Sequence, residues 1–260
     1  MFTPIGFFAP QEGGFDPSLG GTLSVLYHWD FTDSSTMSLT GTDMNSINDK
    51  ISSYTLTTFS VAKPQLNTGF VQFGGGSLTQ IRSGLNTIPT GMFNNNTFTI
   101  CVFSERVAGT SESLLWALGS NQANGWRGST HGGYRPSMPG IWNNQLCDTL
   151  GTAGTNVYIR WFGTTNQSKY STLTTAQSRL KSLVGFAYNS TNQDAHLLYD
   201  NGTQSTYCSR TLVRSTESDN GFFNYAESDT INYYHTVVYS QILSSTNMSD
   251  VFDAFAASQA

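Results

Sequence analysis

The chain has 260 residues, 11% of them charged and 13% aromatic, and a formal net charge of −5. That length can bury one large core, the aromatic content excludes a disordered polymer, and a weakly acidic balance without a basic stripe excludes nucleic acid as a partner. No apolar run approaches the roughly 20 residues that span a bilayer, and the first residues lack the basic and long apolar regions of a secretory signal, so no membrane association is expected.

Residues 1–21 differ from the rest and read as an extended N-terminal arm, with residues 22–260 as the domain proper. Pro4, Pro10 and Pro17 forbid a continuous helix and remove ladder donors. Phe2, Ile5, Phe7, Phe8 and Phe15 would be a solubility liability in water, so something must cover them. Either the arm lies back on its own domain or it docks on a neighbouring subunit through aromatic anchors.

The first core strand is expected over Leu23–Phe31, followed by a turn at Thr32–Ser35. Ser38–Thr40 leads into a polar loop, and Tyr54–Thr57, Phe70–Phe73 and Ser77–Ile81 supply further short strands, with Gly74-Gly75-Gly76 as a flexible turn. Thr97–Phe103 alternates strongly, and Ser113–Gly119 is its expected partner. Residues 121–145 form a long Gly- and Pro-rich connection, Asn156–Phe162 returns to strand, and Ser168–Lys181 fits either a polar loop or a helical turn. Leu183–Tyr188 is a buried-type strand, and Ala195–Tyr199 and Ser205–Cys208 form a hairpin whose Asn201-Gly202 suggests a type I′ turn. Asp219–Tyr225 reads as an aromatic loop and Tyr233–Tyr239 as the last strand. The chain then makes one short helix, capped by Ser245 or Thr246, with Met248, Val251, Phe252 and Phe255 on a single apolar stripe.

Taken in order, Trp29-Asp30-Phe31-Thr32-Asp33, Val71-Gln72-Phe73, Thr97–Phe103, Leu114–Gly119, Leu197–Gly202 and His235–Phe255 resemble the motifs of laminin G-like, concanavalin A-like jelly-roll domains. The similarity covers most of residues 23–257. It implies an all-β fold: a two-sheet antiparallel β-sandwich of concanavalin A-like topology, closed by a short C-terminal helix, with the N-terminal arm as an addition. Such domains occur in phage structural proteins, adhesins and carbohydrate-binding proteins.

Chemistry is harder to find. Glycoside hydrolysis needs two carboxylates flanking the bond, and on a strand these would stand at i and i+2 or i+4. Glu12, Glu105, Glu112, Glu217 and Glu227 are scattered instead. A Gly-x-Ser-x-Gly elbow is missing from the sequence. His28, His196 and His235 fall in strands, His131 in a loop, and no two histidines have a metal-ligating spacing. Cys101, Cys147 and Cys208 are too few and scattered for a disulfide framework and read as buried thiols. No metal or cofactor is assigned; calcium on Asp30, Asp33, Asp43 or Asp49 is the one ion this fold leaves open.

Recognition is best served by the long connection, where Trp126, Arg127, His131, Tyr134, Arg135, Trp142 and Asn143 combine aromatic platforms with polar donors and acceptors. The same residue types form hot spots between proteins, and the tryptophans would also serve to pin a long loop to the sandwich. The expectation from sequence is therefore a protein without catalysis, a homo-oligomeric component on the surface of a phage virion. The arm would hold it to other virion proteins. The alternative is a lectin-like or receptor-binding module that takes a cell-surface glycan.

Overall fold

A computed structural model describes the backbone of residues 14–58, 60, 62–75, 79–82, 97–108, 113–120, 146–153, 156–162, 167–174, 180–189, 191–192, 194–203, 205–211, 220–226 and 230–259. The strands in chain order are β1 (Val25–Asp30), β2 (Met37–Thr40), β3 (Asp43–Asn48), β4 (Thr55–Thr58), β5 (Gln65–Asn67), β6 (Phe70–Gly74), β7 (Thr79–Arg82) and β8 (Phe98–Ala108). They continue as β9 (Ser113–Ser120), β10 (Leu146–Ala153), β11 (Asn156–Phe162), β12 (Gln167–Thr174), β13 (Ser182–Asn189), β14 (Asp194–Asp200), β15 (Ser205–Thr211), β16 (Asn220–Ala226) and β17 (Thr230–Tyr239). One helix, α1 (Ser245–Ser258), follows.

All pairings between these strands are antiparallel. One layer runs β1–β17–β8–β13–β14–β15, with β6 taking the stretch of β17 that β1 leaves open. The other runs β2–β3–β4–β7–β16–β9–β10–β11–β12.

Side-chain alternation divides the interior into two cores. Tyr27, Trp29 and Phe31, with Phe98, Ile100, Val102, Val184, Phe186 and Val238, face Met44, Ile47, Leu56 and Ile81 of the opposite layer. The intervening residues Cys101, Phe103, Leu183, Ala187 and Val237 point the other way and are covered by α1 and by Phe15 and Leu23 of the N-terminal segment. Strands buried on both faces lose the polar half of their alternation. That is why β13 is buried along Ser182–Tyr188 and β8 along Phe98–Ser104.

Several expectations are corrected. The strand β9 pairs with β10 and β16, not with β8, because β13 and β17 occupy both edges of β8. Residues 167–174, read as a polar loop or a helical turn, and 220–226, read as a loop, are strands: β12 pairs with β11, and β16 bridges β7 and β9. The polar stretch after Gly41 is also a strand; an extra residue in β3, where Ser38 and Leu39 of β2 face Ser46 and Met44, puts Met44 and Ile47 in the core at a spacing of three, which hides the period of two. The hairpin turn after β14 is not type I′. Gly202 has φ +78°, but Asn201 is not left-handed, and the Asp200↔Ser205 pairing leaves a four-residue loop. Asn201 Oδ1 instead accepts from the backbone and hydroxyl of Thr203, a side-chain turn of the kind Asn favours. The helix is capped by Ser244, in a reciprocal box with Asn247. Its stripe of Met248, Val251, Phe252 and Phe255 is buried, as its spacing predicts.

Candidate functional site

The sequence of β1 alternates Tyr27-His28-Trp29-Asp30-Phe31. With the aromatic residues inside the sandwich, His28 and Asp30 must share the opposite face. On the adjoining strand, Asp30 lies across from His235 and His28 across from Val237. A register shift between Tyr233 and His235 forms a bulge in β17, a device that re-aims side chains. Its result here is that Tyr234 and His235 both pack against Phe255 of α1.

His28, Asp30 and His235 are 4%, 7% and 1% exposed, and one nitrogen or oxygen from each lies within 4.8 Å of the others. His28 Nε2 is 3.1 Å from His235 Nδ1, which is 3.3 Å from Asp30 Oδ1. Asp30 Oδ1 also accepts from the backbone N–H and hydroxyl of Thr32, and Oδ2 accepts from Lys50 Nζ at 3.1 Å. Lys50 reaches Asp33 as well, at 3.2 Å. The backbone N–H of Lys50 donates to the His28 carbonyl, which ties this cation to the cluster. Phe15 roofs it, with ring centroids 4.7 Å from His235 and 5.9 Å from His28.

The electrostatics follow from the burial. Loss of water pushes His28 down to about 3, helped by the neighbouring His235, so its imidazole is neutral at ordinary pH. Burial by itself would raise Asp30, but hydrogen bonds from His235 and Thr32 outweigh it and hold this carboxyl well below its usual range. A fixed carboxylate thus faces a neutral imidazole, with His235 Nδ1 between them. His235 Nε2 is buried and has no hydrogen-bond partner.

Of the residues singled out from sequence, Trp126, Arg127, His131, Tyr134, Arg135, Trp142 and Asn143 lie outside the described residues, as do Phe2, Ile5, Phe7 and Phe8. The flanks of that long connection are described: Leu146 pairs with Leu118 in the β9–β10 ladder. Phe15 is described, and of the two readings offered for the arm it follows the one in which the segment lies back on its own domain, so its place among the partner-docking anchors is corrected. It is 8% exposed within its own chain, against Phe103, His235 and Phe255.

The four aspartates suggested for calcium are each engaged by protein donors. Asp49 accepts the backbone N–H groups of Ile51, Ser52 and Tyr54, Asp43 accepts from Gln65, and Lys50 joins Asp30 to Asp33. Glu105 accepts a 2.8 Å hydrogen bond from the Tyr234 hydroxyl. The pairing of His28 with His235 was not visible in the sequence, where they stand 207 residues apart. Only the i, i+2 placement of His28 and Asp30 on one strand face was.

No family model matches the chain, and no curated protein matches it in sequence. Solved structures share its fold. A Trypanosoma rangeli sialidase in complex with sialic acid matches with a TM-score of 0.58 at 14% identity, over 88% of this chain and 32% of the sialidase. An arabinofuranosidase complexed with arabinofuranosyl-α-1,2-xylobiose matches with a TM-score of 0.59 at 10% identity, over 95% of this chain and 65% of that one. A lectin from Griffonia simplicifolia has a TM-score of 0.50 at 9% identity, over 74% of this chain and 95% of the lectin. The chain thus spans about a third of the sialidase and just under two thirds of the arabinofuranosidase.

Identities this low establish the fold: an antiparallel, lectin-like β-sandwich of concanavalin A-like jelly-roll type. The expectation of a protein without catalysis is corrected: the chains that share this fold include a sialidase and an arabinofuranosidase, so neither the fold nor the scattered glutamates exclude an enzyme.

Proposed function

We propose that this chain is a saccharide-recognising β-sandwich whose binding surface is carried by residues 121–145. The observation behind this is that the neighbours come from two functional classes, glycosidases and lectins, and what these have in common is a carbohydrate ligand. The described part of the fold supplies a suitable mount. Both ends of the 121–145 connection are anchored in one antiparallel ladder, flanked by β11 and β16, and binding loops on rigid sheets are a common arrangement. Trp126 and Trp142 would offer platforms for the apolar faces of sugar rings, with Arg127, His131, Arg135 and Asn143 addressing the hydroxyl groups.

A glycan array probed with the full chain tests this. Binding to a defined glycan class, lost in Trp126→Ala and Trp142→Ala with the fold intact, is expected. A folded chain that takes no glycan, or double-variant binding equal to the parent, overturns it. The same preparations, assayed for released reducing ends, show whether hydrolysis accompanies binding.

A place on a virion surface is the second reading, motivated by the apolar residues Phe2, Ile5, Phe7 and Phe8. Because Phe15 belongs to the core, the deletion that tests it is residues 1–13. Loss of incorporation into particles, with glycan binding preserved, is the expected result, and unchanged incorporation sinks it.

A further inference from the structure

We infer that His28, Asp30 and His235 form a binding site for a divalent transition-metal ion such as zinc. The inference is independent of the saccharide reading, since it rests on residues of β1 and β17 and stands if no glycan binds.

The argument begins with hydrogen atoms. A neutral imidazole has one N–H and one lone pair. His235 Nδ1 lies 3.3 Å from Asp30 Oδ1, to which it donates, and 3.1 Å from His28 Nε2, while the other ring nitrogen of His235, Nε2, is buried without a partner. A single hydrogen on Nδ1 must therefore serve both Asp30 Oδ1 and His28 Nε2. The three buried atoms converge on room for one positive centre, which one hydrogen fills only in part.

A metal ion would satisfy all three at once, and the spacing suits one. Tetrahedral zinc with bonds of about 2.0–2.1 Å places its ligand atoms about 3.3–3.4 Å apart; the two observed separations are 3.1 and 3.3 Å. Two imidazoles and one carboxylate are a borderline donor set that favours zinc, cobalt, nickel or copper over calcium or magnesium. The surroundings also resemble an outer shell. Thr32 holds Oδ1 through its N–H and hydroxyl, and Lys50 holds Oδ2, so the carboxylate orientation is fixed before any ion arrives. Three protein ligands leave one coordination position for water or an incoming group.

The test uses the full chain without histidine tags, stripped with chelator and titrated with Co²⁺. Visible d–d absorption saturating at one equivalent is expected, with Zn²⁺ displacing the cobalt, Ca²⁺ leaving it in place, and zinc raising the melting temperature. His28→Gln and His235→Gln should each weaken binding by at least roughly a hundredfold, because loss of an outer-shell partner alone costs about ten- to a hundredfold. His196→Gln should leave it unchanged. If the two variants fail to fold, the wild-type titration decides alone: no saturable cobalt spectrum, or displacement by calcium as readily as by zinc, overturns the site. Parent-like affinity in folded His28→Gln or His235→Gln does the same.

Discussion

His28 titrates at about 3 in the folded chain, against an ordinary value of 6.5, chiefly through burial and secondly through His235. Between those two values the unfolded chain takes up a proton at this residue and the folded chain does not. Stability therefore falls as pH drops through that window and is unaffected by His28 above it. Asp30 acts in the same direction, but only as pH falls below the ordinary carboxylate value of 3.8. In chelator, the urea midpoint should decline from pH 7 to pH 4.5, and His28→Gln should flatten that decline; equal slopes would refute the assignment. Tyr239 presents the opposite case. Its hydroxyl is fully buried without a hydrogen-bond partner, and burial raises its pKa well above the usual value. An unsatisfied buried hydroxyl costs about 1–3 kcal/mol, so Tyr239→Phe should unfold at an equal or higher denaturant concentration than the parent. A clear loss of stability would mean that the hydroxyl has a partner.

At the scale of elements, β8 and β13 approach so closely that a side chain at one position has no room. A Cβ on Gly185 would stand 2.4 Å from the Ile100 carbonyl oxygen and 3.3 Å from Cys101. The obstacle is backbone of the neighbouring central strand, which cannot rotate away. Overpacking of this kind costs about 1–3 kcal/mol, and Gly185→Ala should lie at the upper end of that range or beyond in equilibrium unfolding. A neutral result would show that the two strands can separate. The bulge in β17 matters at the same scale. It puts consecutive residues Tyr234 and His235 on the helix-covered side, which an uninterrupted strand would not do.

At the scale of the whole molecule, the first described segment and the closing helix meet in one core. Phe15, from the start of the described chain, and Phe255, from α1, meet at 5.8 Å and share Phe103 and His235 as neighbours. Truncating a buried Phe costs about 3–5 kcal/mol. Phe255→Ala should show a loss of that size and also unseat the N-terminal segment, detected as faster proteolysis near residues 14–24. Unchanged cleavage there would mean that Phe15 is held by the sheet alone.

How much of this was legible beforehand depends on the range of the interactions involved. The helix stripe, the buried strand β13 and the sandwich class were readable, because periodicity and turn chemistry are properties of neighbouring residues. The strands β12 and β16 were not, since their polar or glycine-containing sequences are strands by virtue of the ladders they join. The residues proposed for saccharide recognition were chosen for their chemistry alone and lie outside the described residues.

The sequence by itself determined that this chain alternates apolar and polar residues into an antiparallel sandwich with an amphipathic closing helix, because backbone geometry converts local spacing directly into faces. Only the tertiary structure decided that β1 lies against β17, that the outer face of their layer is a second core, and that Phe15 roofs it. Bringing His28 to within 3.1 Å of His235 across 207 residues depends on strand order and register, which are set by the packing of the whole chain and leave no mark at either histidine.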